Sequence, residues 1–144
     1  MFDKIIVAVD GSERSKEALQ YARALAEAFH SELTVLTVVI DMRNLYFIDA
    51  AYAIEYNHTQ ENYSQYGQRI LNEMLKDFST FEETLHRVVR FGDPASEIIR
   101  YVEENPCDLL VMGSKGLTGL GKLMLGSVSN KVLHHVKNPV FIVK

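Results

Sequence analysis

The sequence predicts an α/β fold, a single doubly wound five-stranded parallel sheet with helices on both faces. Short apolar, β-branched runs alternate along the chain with segments of helical period, and several of the joints between them carry helix-capping residues. Such alternation calls for right-handed crossovers, and these build a parallel sheet.

The first strand is KIIVAV, Lys4 to Val9, apolar at nearly every position as in a strand covered on both faces. The segment GSERSKEALQYARALAEAFH follows, with Ser12 as cap and Ala18, Ala22, Leu25, Ala26 and Phe29 along one helical face. ELTVLTVVI, Glu32 to Ile40, is the second strand. Asp41 to about Asn57 has no clean period, and the helical pattern returns with Tyr63, Tyr66, Ile70, Met74 and Phe78. LHRVVRF, Leu85 to Phe91, is a more polar third strand and belongs near a sheet edge. Asp93 caps the next helix, with Pro94 at its first position, where a missing N–H costs nothing. DLLVMG, Asp108 to Gly113, is a buried fourth strand. The last helix begins near Ser127 and carries Val128, Val132 and Val136; PVFIVK closes the chain as the fifth strand, with Pro139 at its tolerated first residue.

The 144 residues fit one domain, residues 1–144. No apolar run approaches the roughly 20 residues of a membrane span, and the start reads as a first strand, not a signal peptide, so a cytoplasmic protein is expected. The single Cys107 forms no internal disulfide. A net charge of −4 argues against general nucleic-acid binding. That charge is uneven. From Met112 to Lys144 there are five lysines and no acid, which leaves −9 on the rest. A positive field beside a glycine-rich loop suits a small polyanion, and a solvated lysine face is the plainer reading.

Five of the eight glycines fall between Met112 and Ser129. From Gly116 the string GLTGLGKL has Walker spacing up to Lys122, but Leu123 lacks the hydroxyl that would hold Mg²⁺, and no helix starts at the lysine. A different cradle fits better. Gly113 and Gly116 let the chain turn off strand four, Gly126 lets backbone approach phosphate, and Ser127 and Ser129 stand at a helix N-terminus where free N–H groups favour anions. From physical chemistry alone, turn-forming glycines and a capping Ser127 explain the same residues equally well. In doubly wound sheets ligands bind beyond the carboxyl ends of the strands, where Asp10, Val39 and Gly113 lie.

The frame Gly113-x2-Gly116-x9-Gly126-Ser127 follows VMGS and precedes a closing NPVFIVK. Together with KIIVAVDGSERSKEAL, VVID and GDPASEII, it resembles the ATP-binding branch of the universal stress protein family over almost the whole chain. The resemblance implies a Rossmann-like domain of the adenine-nucleotide hydrolase type that acts as a nucleotide-dependent stress-response dimer. It places Asp10 on the adenosine part and the backbone of Val39 on adenine, with Val38 the alternative one residue away. Gly113, Gly116, Gly126, Ser127 and Ser129 fall on ribose and phosphate, with Met112 and Val128 lining the pocket. The implied ligand is ATP with Mg²⁺ carried by its phosphates, and the implied partner is a second copy paired through the last strand.

No catalytic constellation is read in the sequence, and no metal-binding residues. The alternatives kept open are slow ATP hydrolysis or autophosphorylation, and an interaction dimer without nucleotide. Asp10 suits binding better than general-base chemistry. His134 and His135 are adjacent, hence about 100° apart on a helix and unable to share one metal. Cys107 reads as a buried thiol. The aromatics from Tyr46 to Tyr66 suit core packing first, and a lid or partner surface second.

Overall fold

A computed structural model describes residues 1–40, 60–78, 84–115 and 125–144. Gly116, Lys122, Leu123 and the aromatics Tyr46, Phe47, Tyr52 and Tyr56 lie outside the described residues. Five parallel strands form one sheet in the order β3-β2-β1-β4-β5. They are β1 (Lys4–Val9), β2 (Glu32–Ile40), β3 (Leu85–Gly92), β4 (Leu109–Gly113) and β5 (Val140–Val143). Among the described residues four helices alternate with them: α1 (Glu13–Phe29), α2 (Gln60–Leu75), α3 (Pro94–Glu104) and α4 (Ser127–His135). The expected fold class is therefore observed, with the polar β3 at one edge.

Strand periodicity splits the core into two layers. Ile5, Val7 and Val9 of β1 pack with Leu33, Val35 and Val111 under α1 and α2. Ile6 and Ala8 pack with Leu36, Leu110 and Met112 under Ala95, Ile98 and Val102 of α3 and Val132 of α4. The strands at the centre are apolar on both faces because each face is covered. β3 pairs with β2 alone among the described strands, and its residues are half-buried or exposed.

The caps sit where the sequence places them. Ser12 Oγ accepts from Ser15 N at 3.3 Å, and Asp93 Oδ2 accepts from Ser96 N at 2.9 Å. His30, in the left-handed conformation at φ 55°, ends α1 and donates its N–H to Ala26 O. Pro139 stands just before β5, and its carbonyl accepts from Leu110 N at 3.0 Å. Of the stripe expected on and after α2, Tyr63, Met74 and Phe78 are buried and Ile70 is half-buried against the core; Tyr66 faces solvent, and Leu71 and Leu75 are buried in addition. Next to Tyr66, Gly67 takes a sheet-facing position, with no side chain to show in a hydrophobic pattern.

A Cβ at Gly67 would fall 2.3 Å from Val89 Cγ1 and 3.2 Å from Val39 Cγ2. Gly67→Ala gains up to about 1 kcal/mol in helix propensity. It also forces α2 off β2 and β3, an overpacking cost of about 1–3 kcal/mol. The expected outcome is a Tm several degrees below wild type by calorimetry; a Tm at or above wild type contradicts this packing.

Candidate nucleotide site

The chain turns over at β1. From β1 it runs outward through β2 to β3, then returns to lay β4 on the other side of β1. α1 leaves β1 to cover one face, and α4 follows β4 on the other, so the loops after these adjacent strands diverge and leave a crevice between them. The strand register fixes what faces it. Ala8 pairs with Met112 and Val9 with Thr37, so Asp10 is level with Ser114 on one side and Val38 on the other, with Val39 one residue beyond.

Asp10 is held in a compact turn. Its Oδ1 accepts from Ser12 N at 2.9 Å, and its N–H donates to Ser15 Oγ at 3.3 Å. Gly11 between them has φ +84°, a conformation that favours glycine. Half-buried Asp10 thus has its carboxylate fixed beside the crevice by its own backbone. Val39 is buried, and its side chain points toward α2. The backbone, not the side chain, is what Val39 can offer to a ligand. Val38 lies on the opposite face of the strand, half-buried against the α3 layer.

Beyond β4 the two described glycines of the frame do more than turn the chain. A Cβ at Gly113 would meet Arg14 Cβ at 3.0 Å and Arg14 C at 3.2 Å, so this glycine lets the first turn of α1 close on the end of β4. A Cβ at Gly126 would meet Lys115 Cα and Ser114 O, both at 3.3 Å. Gly126 N donates to Ser114 O at 2.7 Å, and Ser129 Oγ donates to the same carbonyl at 2.8 Å. Ser114 N donates in turn to Val143 O at 2.7 Å. The start of α4 is thereby stitched to the ends of β4 and β5.

That stitch separates the two serines. Ser129 is 2% exposed and its hydroxyl is occupied by the carbonyls of Ser114 and Gly126, so it is a structural tie. Ser127 is exposed. It is not the cap: Gly126 is, and it has no side chain with which to cap. The first intrahelical bond is Asn130 N to Gly126 O, so the N–H groups of Ser127, Val128 and Ser129 precede it. No acid lies in this first turn. Met112, 4% exposed, packs with Ala8 beneath, and Val128 is half-buried against the same layer.

Asp93 and Ser96, at the start of α3, meet Lys131 of α4, an encounter between positions 35 and 38 residues apart that no local pattern signals. A cleft of about 750 Å³ lies at the opposite, N-terminal end of the sheet, among Lys4, Glu32, His86, Tyr101, Glu104 and Cys107. Burial, with Asp108 beside it, pushes the Cys107 thiol up to about 11, so it stays protonated and a poor nucleophile at neutral pH. Its polar groups do not converge: Glu104 is bound to Arg90, and Arg90 stacks over Tyr101. His134 and His135 each turn Nδ1 to the carbonyl four residues back, on Asn130 and Lys131. Among the described residues no three His, Cys, Asp or Glu side chains gather around a metal position, and no helix is long and apolar enough to cross a membrane.

Comparison with known proteins agrees with this architecture. The model of the universal stress protein family matches residues 1–144. Universal stress protein MJ0531 of Methanocaldococcus jannaschii is 33% identical over 144 residues, spanning 100% of this chain and 83% of that protein. Universal stress protein YxiE of Bacillus subtilis is 34% identical over 150 residues, spanning 100% of both. Among solved structures, MJ0577 of Methanocaldococcus jannaschii has a TM-score of 0.77 at 26% identity, with 100% and 96% of the two chains covered. A universal stress protein in complex with cAMP has a TM-score of 0.64 at 26% identity, with 99% and 97% covered.

The Asp93 carboxyl is held below the usual carboxylate range, first by the Ser96 hydroxyl and N–H and then by Lys131. A carboxyl whose value is lowered on folding stabilises the fold above its unfolded value, near 4, and loses that contribution as pH falls through its folded value. Asp93→Ala should therefore cost about 1 kcal/mol at neutral pH through the lost cap. The gap to wild type should narrow in acid, as followed by urea unfolding at a series of pH values; a gap as wide in acid as at neutral pH contradicts the assignment.

Proposed function

The chain belongs to the universal stress protein family, and from that premise we propose that it binds an adenine nucleotide, ATP, in the crevice between β1 and β4. The observation that carries this reading is the uncapped start of α4. Three backbone N–H groups, no capping side chain and no first-turn acid stand at the edge of the sheet where two loops part. The N–H groups of Ser127, Val128 and Ser129 would hold phosphate, with the Ser127 hydroxyl beside them. Asp10 would accept from ribose, and the Val39 backbone would meet adenine. Met112 and Val128 form the apolar wall. Gly113 and Gly126 contribute by letting α1 and the 114–115 backbone close around the site, and Gly116 completes the frame. A bound nucleotide in one family neighbour, cAMP, favours the same class of ligand.

The residues fit such a ligand, because the first turn of α4 offers backbone donors and carries no acid. Mg²⁺ would travel on the phosphates, neutralising part of their charge. Among the described residues nothing sets a general base against an attacking water, and the reading is of a nucleotide-dependent regulatory protein, with slow hydrolysis or autophosphorylation as the alternative. Ser129 has its hydroxyl engaged in the fold, which leaves Ser127 as the serine of this turn open to phosphorylation.

The whole chain, 1–144, would act as one domain in the cytoplasm and pair with a second copy. β5 supports the pairing: it pairs only with β4 among the described strands, and Phe141, 38% exposed, lies edge-on to Tyr21, 53% exposed, at 5.6 Å. An open edge bearing aromatics is a surface that soluble proteins cover.

Titration calorimetry with ATP and Mg²⁺ tests the site. Saturable binding is expected, about one nucleotide per chain. Asp10→Asn keeps the Oδ1 acceptor that Ser12 N uses, so the turn survives, while the carboxylate offered to ribose is lost; affinity should fall roughly tenfold at unchanged Tm. Absence of both heat and a Tm shift at millimolar ATP contradicts the proposal.

A further inference from the structure

A side-chain cluster next to this site remains unused by it. Lys131 Nζ lies 3.0 Å from Ser96 Oγ and 3.3 Å from Asp93 Oδ2. Ser96 Oγ donates to Asp93 Oδ2 at 2.6 Å, and Ser96 N donates to the same oxygen at 2.9 Å. Both partners belong to the start of α3, so the lysine ties α4 to the N-terminal end of α3.

Lys131 follows Ser127 by four residues and therefore shares its helical face, one turn further along. A helical side chain leans toward the N-terminus, which carries the ammonium back toward the first turn of α4. Its contacts put it at the start of α3, the positive end of that helix's dipole and the reverse of where a cation is favoured. Asp93 is the carboxylate that compensates it, and that oxygen already serves Ser96 twice. Glu97, the other acid of this turn, is buried against Gly92 and paired with Arg100. A ligand with several phosphate groups at the start of α4 can extend one of them to the lysine; one with a single phosphate, held at the helix start, competes poorly with Asp93 for it.

Resting on the nucleotide site proposed above, we infer that Lys131 is the residue by which the site favours polyphosphate nucleotides over AMP and cAMP, leaving Asp93 and Ser96 for the terminal phosphate when one is present. Lys131 is thus a specificity-determining residue, and Asp93 holds it in reserve.

Calorimetric titration of wild type, Lys131→Met, Lys131→Arg and Asp93→Asn with MgATP, AMP and cAMP tests this. Lys131→Met should weaken ATP roughly tenfold and leave AMP and cAMP within about twofold, since one charge-assisted phosphate contact is lost. Lys131→Arg should restore most of the ATP affinity. Asp93→Asn keeps a good cap for α3 but releases the lysine, so ATP should bind more tightly than to wild type. A lysine that merely ties the two helices together predicts no gain in that variant. A wild-type protein that binds ATP, with the ATP-to-AMP ratio unchanged in Lys131→Met, overturns the role of Lys131 and leaves the nucleotide site standing. A wild-type protein that binds none of the three overturns both.

Discussion

The backbone carbonyl of Ser114 accepts two hydrogen bonds, from Gly126 N and from the Ser129 hydroxyl, and the position of α4 depends on that one oxygen. Ser114 is also tied through its own N–H to the end of β5. The first turn of the helix is thereby fixed to the end of β4, beside β1 in the sheet. Gly126 makes the contact possible twice over. It lacks the Cβ that would press on the 114–115 backbone, and it lacks a side chain that would cap the helix. The same residue that brings the helix end into place leaves it without a side-chain acceptor.

The rest of the site follows from topology. A parallel sheet that reverses its winding at β1 must send the loops after β1 and β4 to opposite faces. Asp10 reaches the resulting crevice because β1 ends there, and its turn is closed by Ser12 and Ser15 before any ligand arrives. Gly113 closes the floor by letting Arg14 approach. The described polar groups around the crevice are thus held by backbone contacts, an arrangement that suits binding.

Much of this was legible in the sequence because it is local. Apolar runs marked the buried strands, the polarity of β3 marked an edge, and Asp93-Pro94 and Ser12 marked helix starts. The start of the last helix at Ser127 was likewise local. What was hidden depends on encounters between distant segments. Gly67 carries no hydrophobic signal, yet it lets α2 lie close against Val89 of β3 and Val39 of β2, while its neighbour Tyr66 faces solvent. Ser127 and Ser129 look alike in the sequence, and only the nearby Ser114 carbonyl separates an exposed hydroxyl from a buried tie. Gly113 fits a phosphate-loop spacing, but the atoms its missing side chain admits belong to α1. Lys131 counted as one of five lysines in a basic tail until α3 brought Asp93 to it.

The central claim is that the free N–H groups at the start of α4 are the anion-binding element. The most direct measurement is the backbone amide spectrum of ¹⁵N-labelled protein during titration with MgATP. The largest shifts are predicted at Ser127, Val128 and Ser129, with Asp10 and Val39 moving in step at the other end of the ligand. Shifts confined to the Lys4, His86 and Cys107 cleft at the far end of the sheet, or none at saturating ATP, would contradict it.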